Sequence, residues 1–174
     1  MKRTSTANAD CAVARSLDVI GDWWSLLIVR DALAGLSRFG EFERSLGLAK
    51  NILSARLRKL VAAGILEVVT DPERDRFPRY VPTAKGKGLQ TVLAALWQWG
   101  EAELFTPGEM VRELVDRETG EKLAPIEMHA AYGRLLGPED VEGRSISGGT
   151  YGAAGAGASC LGACGPPPLC SAGL

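Results

Sequence analysis

From residue 11 onward the apolar positions recur at helical spacing, and the interruptions in that pattern divide the chain into elements. Cys11 to about Ile20 carries one apolar stripe; Asp10 is placed to cap it and Gly21 to end it. Asp22 is placed to cap a second helix whose Trp23, Trp24, Leu26, Leu27, Ile28 and Leu33 make it too apolar for a surface element, so it is expected to be the buried central helix. Phe39 and Phe42 open a short third helix flanked by Arg38 and Arg44. After a turn at Gly47 a fourth helix places Leu53, Leu57, Leu60 and Val61 on one face and turns Asn51, Ser54, Ala55 and Arg58 to the other.

Beyond Gly64, a helix-ending glycine, the period changes from helix to strand. Ile65 to Thr70 is an apolar, β-branched run; DPERDRFP, bounded by Pro72 and Pro78, is a polar turn; Arg79 to Thr83 is a second short strand. These make a two-stranded hairpin with Arg74, Arg76 and Arg79 at or near its tip. A fifth helix from about Ala84 to Phe105 carries Leu89, Val92, Leu93, Leu96 and Trp97 as an apolar stripe. A lone domain of this size cannot also cover Trp97, Trp99, Leu104 and Phe105, so the stripe predicts a partner subunit; a monomer that packs it on its own extension is the alternative. Val111–Arg117 and Leu123–Met128 read as two further strands joined by the turn ETGE.

Charge changes this picture from architecture to chemistry. The whole chain has a formal net charge of -1, but residues 1–104 hold 15 Lys and Arg against 12 Asp and Glu, while residues 105–174 hold 5 against 9. Between Lys50 and Lys59 the only charges are Lys50, Arg56, Arg58 and Lys59, so the fourth helix is purely cationic. A solvated face is the ordinary explanation of such a helix. A cationic helix followed by a cationic hairpin is more specific: it is the plan of a winged helix-turn-helix, in which the helix enters the major groove of duplex DNA and the wing follows the backbone. The expected contacts are Asn51, Ser54 and Arg58 to base edges, with Lys50, Arg56, Arg38, Arg74, Arg76 and Arg79 on phosphates. Arg38 stands at the entrance of the third helix, where its side chain or the helix terminus can hold a phosphate. Trp23 and Trp24 are expected in the core or along a small-ligand wall and not as stacking platforms for bases.

The blocks CAVARSLDVIGDWWSLLIVRDAL, SRFGEFERSLG, LSARLRKLVAAGILE, PRYVPTAKGKGL and LAALWQWGE stand in an order that resembles the HxlR-type winged-helix transcriptional regulators, over about residues 11–103. The resemblance implies a dimeric prokaryotic transcription factor paired through its first and last helices, here through Leu17, Leu93, Leu96 and Trp97, and responsive to a small molecule or an oxidant. Several members sense oxidants with a cysteine at the start of the first helix. The usual Cys-Pro is here Cys11-Ala12, which keeps the thiol and leaves open both a sensor and a small core residue at the dimer seam. Some relatives carry cysteine pairs in the extension, suggesting a zinc ribbon; the corresponding turns here read ETG and HAAY, so no metal or other cofactor is expected.

The expected organisation is therefore a flexible lead-in (1–10), a mainly α winged helix-turn-helix domain with a small β-hairpin wing (11–105), a small β-hairpin extension (106–144) and a flexible tail (145–174) without a charged side chain. MKRTSTANAD lacks the apolar core of a secretory signal and no segment is long and apolar enough to span a membrane, so a cytoplasmic, nucleoid-associated protein is expected. The competing reading is a thiol-based redox or metal-handling protein using Cys11 with Cys160, Cys164 and Cys170 of the tail. An enzyme is not expected: the single histidine, His129, lies in the extension, and no glycine-rich phosphate loop or carboxylate pair stands in a convincing context.

Overall fold

A computed structural model describes residues 5–71, 75–106, 108–109 and 112–143, with the backbone alone at 71, 75 and 76. In chain order these residues form α1 (Ala12–Ile20), α2 (Trp23–Leu33), α3 (Phe39–Leu46), α4 (Lys50–Ala62), β1 (Leu66–Asp71), β2 (Asp75–Pro82), α5 (Ala84–Lys87) and α6 (Gln90–Glu103). They separate into two compact units, one running to Leu123 and the other starting at Ala124. Among the described residues no helix is long and apolar enough to cross a membrane.

The core of the first unit is built where the helical stripes meet. Ile28, Val29 and Ala32 of α2, Phe42 of α3, Leu53, Leu57 and Leu60 of α4, and Ile65 and Leu66 at the start of the hairpin are all buried together. Each large side chain removed from water there contributes about 1.5–3 kcal/mol. One buried carboxylate interrupts this core: Asp31 of α2 accepts from Ser45 Oγ of α3 at 2.6 Å and from Arg30 Nε at 2.8 Å, so α3 is pinned to α2 by a polar staple.

Several boundaries follow the sequence pattern. Asp22 accepts from Ser25 N at 3.0 Å as the cap of α2. Gly47 ends α3 with φ 63° and turns the chain into α4. Gly64, φ 67°, closes α4 with its N–H on the Val61 carbonyl while Ile65 N–H reaches the Leu60 carbonyl, the paired arrangement that satisfies the last turn and sends the chain into β1. β1 and β2 pair antiparallel, with Val68 opposite Tyr80 and Val69 opposite Arg79.

Other expectations are corrected. The cap of α1 is Cys11 and not Asp10, which stands one residue too early for its side chain to reach the first-turn amides. Trp23 of α2 is 76% exposed, because it shares the helix face of Arg30 and not that of Ile28 and Ala32. Trp24 packs against the core and meets the Trp23 ring edge-on at 5.8 Å between centroids. Pro78 does not bound the turn but lies inside β2, where a two-stranded sheet leaves an outer edge that needs no N–H donor. Pro72 and Arg74 fall outside the described residues. The fifth helix is broken at Gly88 and Leu89: α5 is a single turn capped by Thr83, whose hydroxyl accepts from Gly86 N and donates to the Gly64 carbonyl at 2.6 Å. Gly86 passes so near the hairpin that a Cβ there would sit 2.2 Å from the Ile65 carbonyl oxygen.

The two strands expected between Val111 and Met128 are not strands in the described residues. Only isolated bridges form, Val115 with Lys122 in the first unit and His129 with Leu135 in the second. Two tight turns replace them. The first is organised by Asp116, whose Oδ1 accepts from Glu118 N and Thr119 N, and the Lys122 ammonium ties it to Glu101 of α6. The second joins Ala130 to Gly133 and is followed by a short 3-10 turn, Pro138–Asp140, with Arg134 paired to Asp140 at 3.0 Å. At the other end, residues 5–9 lie back along α1: Thr6 N donates to Asp18 Oδ1 and Thr6 Oγ1 to the Ala14 carbonyl.

Candidate nucleic-acid interface

Burying Leu53, Leu57 and Leu60 decides which way the rest of α4 faces. Residues at the complementary positions, Lys50, Asn51, Ala55 and Arg58, are exposed, with Ser54 half-buried beside them. Asn51, Ser54 and Arg58 are therefore brought together on the outer face, as the spacing predicts, with Lys50 beside them at the start of the helix. Lys50 extends into solvent with its Nζ 4.0 Å from Glu43 Oε1, a surface pair of little energetic weight.

Arg56 goes elsewhere. Its Nε stands 3.2 Å from Asp22 Oδ1, and Lys59 Nζ stands 3.5 Å from Asp22 Oδ2, so both flank the inner side of α4 against the start of α2. Burial alone would push the Asp22 carboxyl up. Hydrogen bonds from the Ser25 hydroxyl and amide, with the attraction of Arg56 and Lys59, outweigh it and hold this group below the ordinary carboxylate range.

The hairpin contributes a pairing that the sequence did not disclose. The segment before α3 lies against β2: Tyr80 N donates to the Ser37 carbonyl at 2.7 Å, and Arg38 forms an isolated antiparallel bridge with Arg79. Opposite residues in such a pair carry their side chains on one face, so two exposed guanidinium groups from distant parts of the chain are placed as neighbours. Glu41 takes the amides of Ser37 and Arg38 at 2.8 and 2.9 Å, and these two bonds hold its carboxyl below the ordinary range. The entrance of α3 thus has its own anionic acceptor, and any phosphate held there depends on the guanidinium. Arg74 lies outside the described residues, as does the side chain of Arg76.

The remaining candidates fall on α1 and α6. Cys11 is half-buried at the cap of α1. Leu17 is 49% exposed and Leu96 47% exposed, whereas Trp97 is half-buried and Leu93 packs on the chain's own core. No residue of α6 is buried, although it also carries Val92 and Trp99, the latter 58% exposed. Cys160, Cys164 and Cys170 fall outside the described residues. Sequence reasoning missed Asp22 as a partner of α4 and Glu41 as a cap; the spacing of Ser37 and Arg38 to Glu41 is the one local signal that could have shown the second.

The chain is similar to known proteins. An uncharacterised HTH-type transcriptional regulator of Mycobacterium tuberculosis is 38% identical over 117 residues, covering 66% of this chain and 72% of that protein. Among solved structures, the candidate transcription factor PA1607 superposes with a TM-score of 0.77 at 49% identity, covering 81% of this chain and 99% of that one. A second, PA1374 from Pseudomonas aeruginosa, gives 0.58 at 40% identity, covering 81% and 96%. The model of the HxlR-like helix-turn-helix family matches residues 19–106, which takes in α2, the cationic α4, the hairpin and α6. With its mainly helical body, two-stranded wing and outward basic helix, this chain is a transcriptional regulator and belongs to the HxlR-like helix-turn-helix family.

Proposed function

We propose that the protein is a homodimeric, sequence-specific repressor that binds duplex DNA through the outer face of α4 and leaves it in response to a small molecule or an oxidant. The observation that carries the DNA part is the division of α4 into a fully buried leucine face and an exposed face bearing Lys50, Asn51 and Arg58. Asn51, Ser54 and Arg58 read base edges; Lys50, Arg38, Arg79 and the wing residues Arg74 and Arg76 hold phosphates. The juxtaposed, exposed Arg38 and Arg79 support this role, since two guanidinium groups on one face offer adjacent donors to a phosphate.

The dimer rests on α1 and α6. Both expose large apolar side chains, Val13 and Leu17 on one and Val92, Leu96 and Trp99 on the other, more than scattered surface residues require. Cys11, at the start of α1, is the candidate oxidant sensor, because its oxidation would act on an element of the pairing face. Titrating the full chain against duplex DNA at several salt concentrations, before and after peroxide, tests the proposal. Tight binding with a steep salt dependence, weakened by peroxide in the wild type but not in Cys11→Ser, is expected. Oxidation without effect on affinity would move the switch to a ligand site near Trp23 and Trp24.

A further inference from the structure

Arg56 belongs to the helix that faces DNA, yet the structure turns it inward. Its Nε is buried with no hydrogen-bond acceptor in line among the described residues, and what lies beside it is Asp22 Oδ1 at 3.2 Å. Lys59 reaches the same carboxylate at 3.5 Å and also donates to the Asp18 carbonyl at the end of α1, at 3.0 Å. Asp22 is in turn immobilised by Ser25, which gives it both its amide, 3.0 Å, and its hydroxyl, 2.7 Å, and is itself fully buried. One carboxylate at the joint of α1 and α2 thus holds two cations from the inner flank of α4.

The sign of that charge matters. A carboxylate close to a helix that must approach phosphates opposes binding, so its presence there asks for an offsetting role. We propose that Asp22 is a positioning residue for DNA recognition: clamped by Ser25, it fixes the rotation of α4 through Arg56 and Lys59, and so decides where Asn51, Ser54 and Arg58 point. A rotation of about 20° moves an atom at the outer radius of a helix, about 5–6 Å from its axis, by about 2 Å. That displacement removes a hydrogen bond to a base edge while leaving a flexible lysine able to follow a phosphate. The clamp therefore governs specificity more than total affinity, and it makes Arg56 a structural cation instead of a phosphate ligand.

The inference rests on α4 being the base-reading helix, and its test separates the two. The probes are a genomic fragment selected with the wild-type full-length protein and a scrambled duplex of the same length and composition. Asp22→Asn keeps an amide oxygen able to cap α2 and removes the charge. Arg56→Gln removes the other side and, lying at a partly exposed position, leaves the core intact should the first variant fold poorly. Each variant is expected to lose about tenfold on the selected fragment and little on the scrambled duplex, with an unchanged salt slope. The double variant should be no worse than the poorer single one. Tighter binding of Asp22→Asn to both duplexes, a salt slope reduced by about one unit in Arg56→Gln, or affinities unchanged in both variants would overturn the clamp. A wild-type protein that selects no fragment would overturn the reading of α4 itself, and the clamp with it.

Discussion

Asp22 combines three tasks in one side chain, a helix cap, an ion-pair acceptor and a neighbour of the cationic helix α4, and its ionisation should therefore be visible in stability. Its carboxyl is held below the ordinary range, so the folded state binds its proton less readily than the unfolded chain. The stabilisation is present above the unfolded value of about 4 and is lost as pH falls through the lower folded value. Urea midpoints of the wild type and Asp22→Asn should differ most near neutrality and converge on acidification; a gap that stays constant with pH would show that the charge on Asp22, held by Ser25, Arg56 and Lys59, contributes nothing. On the outer side of the domain, Arg79→Ala should weaken selected and scrambled duplexes alike and reduce the salt slope by about one unit, as loss of a phosphate contact does. Sequence alone put Asn51, Ala55 and Arg58 on the exposed face of α4, because the face of a helix follows from its leucines. It could not place Arg56, whose partner lies two helices earlier and whose charge looks the same whether it meets a phosphate or a carboxylate.

At the scale of elements, the junctions are as specified as the helices. Gly64 sits at φ 67° with open space around it, so Gly64→Ala should cost about 1–2 kcal/mol through backbone conformation alone. Gly86→Ala should cost more, about 2 kcal/mol or above, because its new methyl would meet the Ile65 carbonyl and force α5 off the hairpin. Denaturant titration of the two variants checks the order, and equal losses would mean that the close approach is relaxed without effort. The glycine at the end of α4 was legible from its place after an apolar helical run. The break between α5 and α6 was not, because the apolar spacing runs on through Gly88 and Leu89 while Thr83 and Gly86 are claimed by contacts with residues 64 and 65. The isolated bridge at Arg38 was also hidden, since a single paired residue carries no period. In the extension the alternation suggested strands, but the Asp116 turn and the isolated bridges satisfy the backbone locally.

The molecule as a whole presents an exposed cationic face on α4 and exposed apolar side chains on α1 and α6. Leu96 is a sharper probe of pairing than Trp97, because it is 47% exposed and a charge there leaves the single chain's core untouched. Leu96→Asp should sediment as a monomer that melts near the wild-type temperature and binds the selected fragment far more weakly; a dimer of normal affinity would place pairing elsewhere. A two-fold dimer sets its two α4 helices about one DNA turn, roughly 34 Å, apart. The most direct test of the account is an affinity profile in which every base pair of the selected fragment is changed in turn, measured for the wild type and for Arg58→Ala. The account predicts two blocks of sensitive positions one turn apart, related by two-fold symmetry, with the same position in both blocks losing its preference in Arg58→Ala at a cost of about 1–3 kcal/mol. A flat profile, a single block, or a uniform loss in Arg58→Ala with every base preference intact would contradict it.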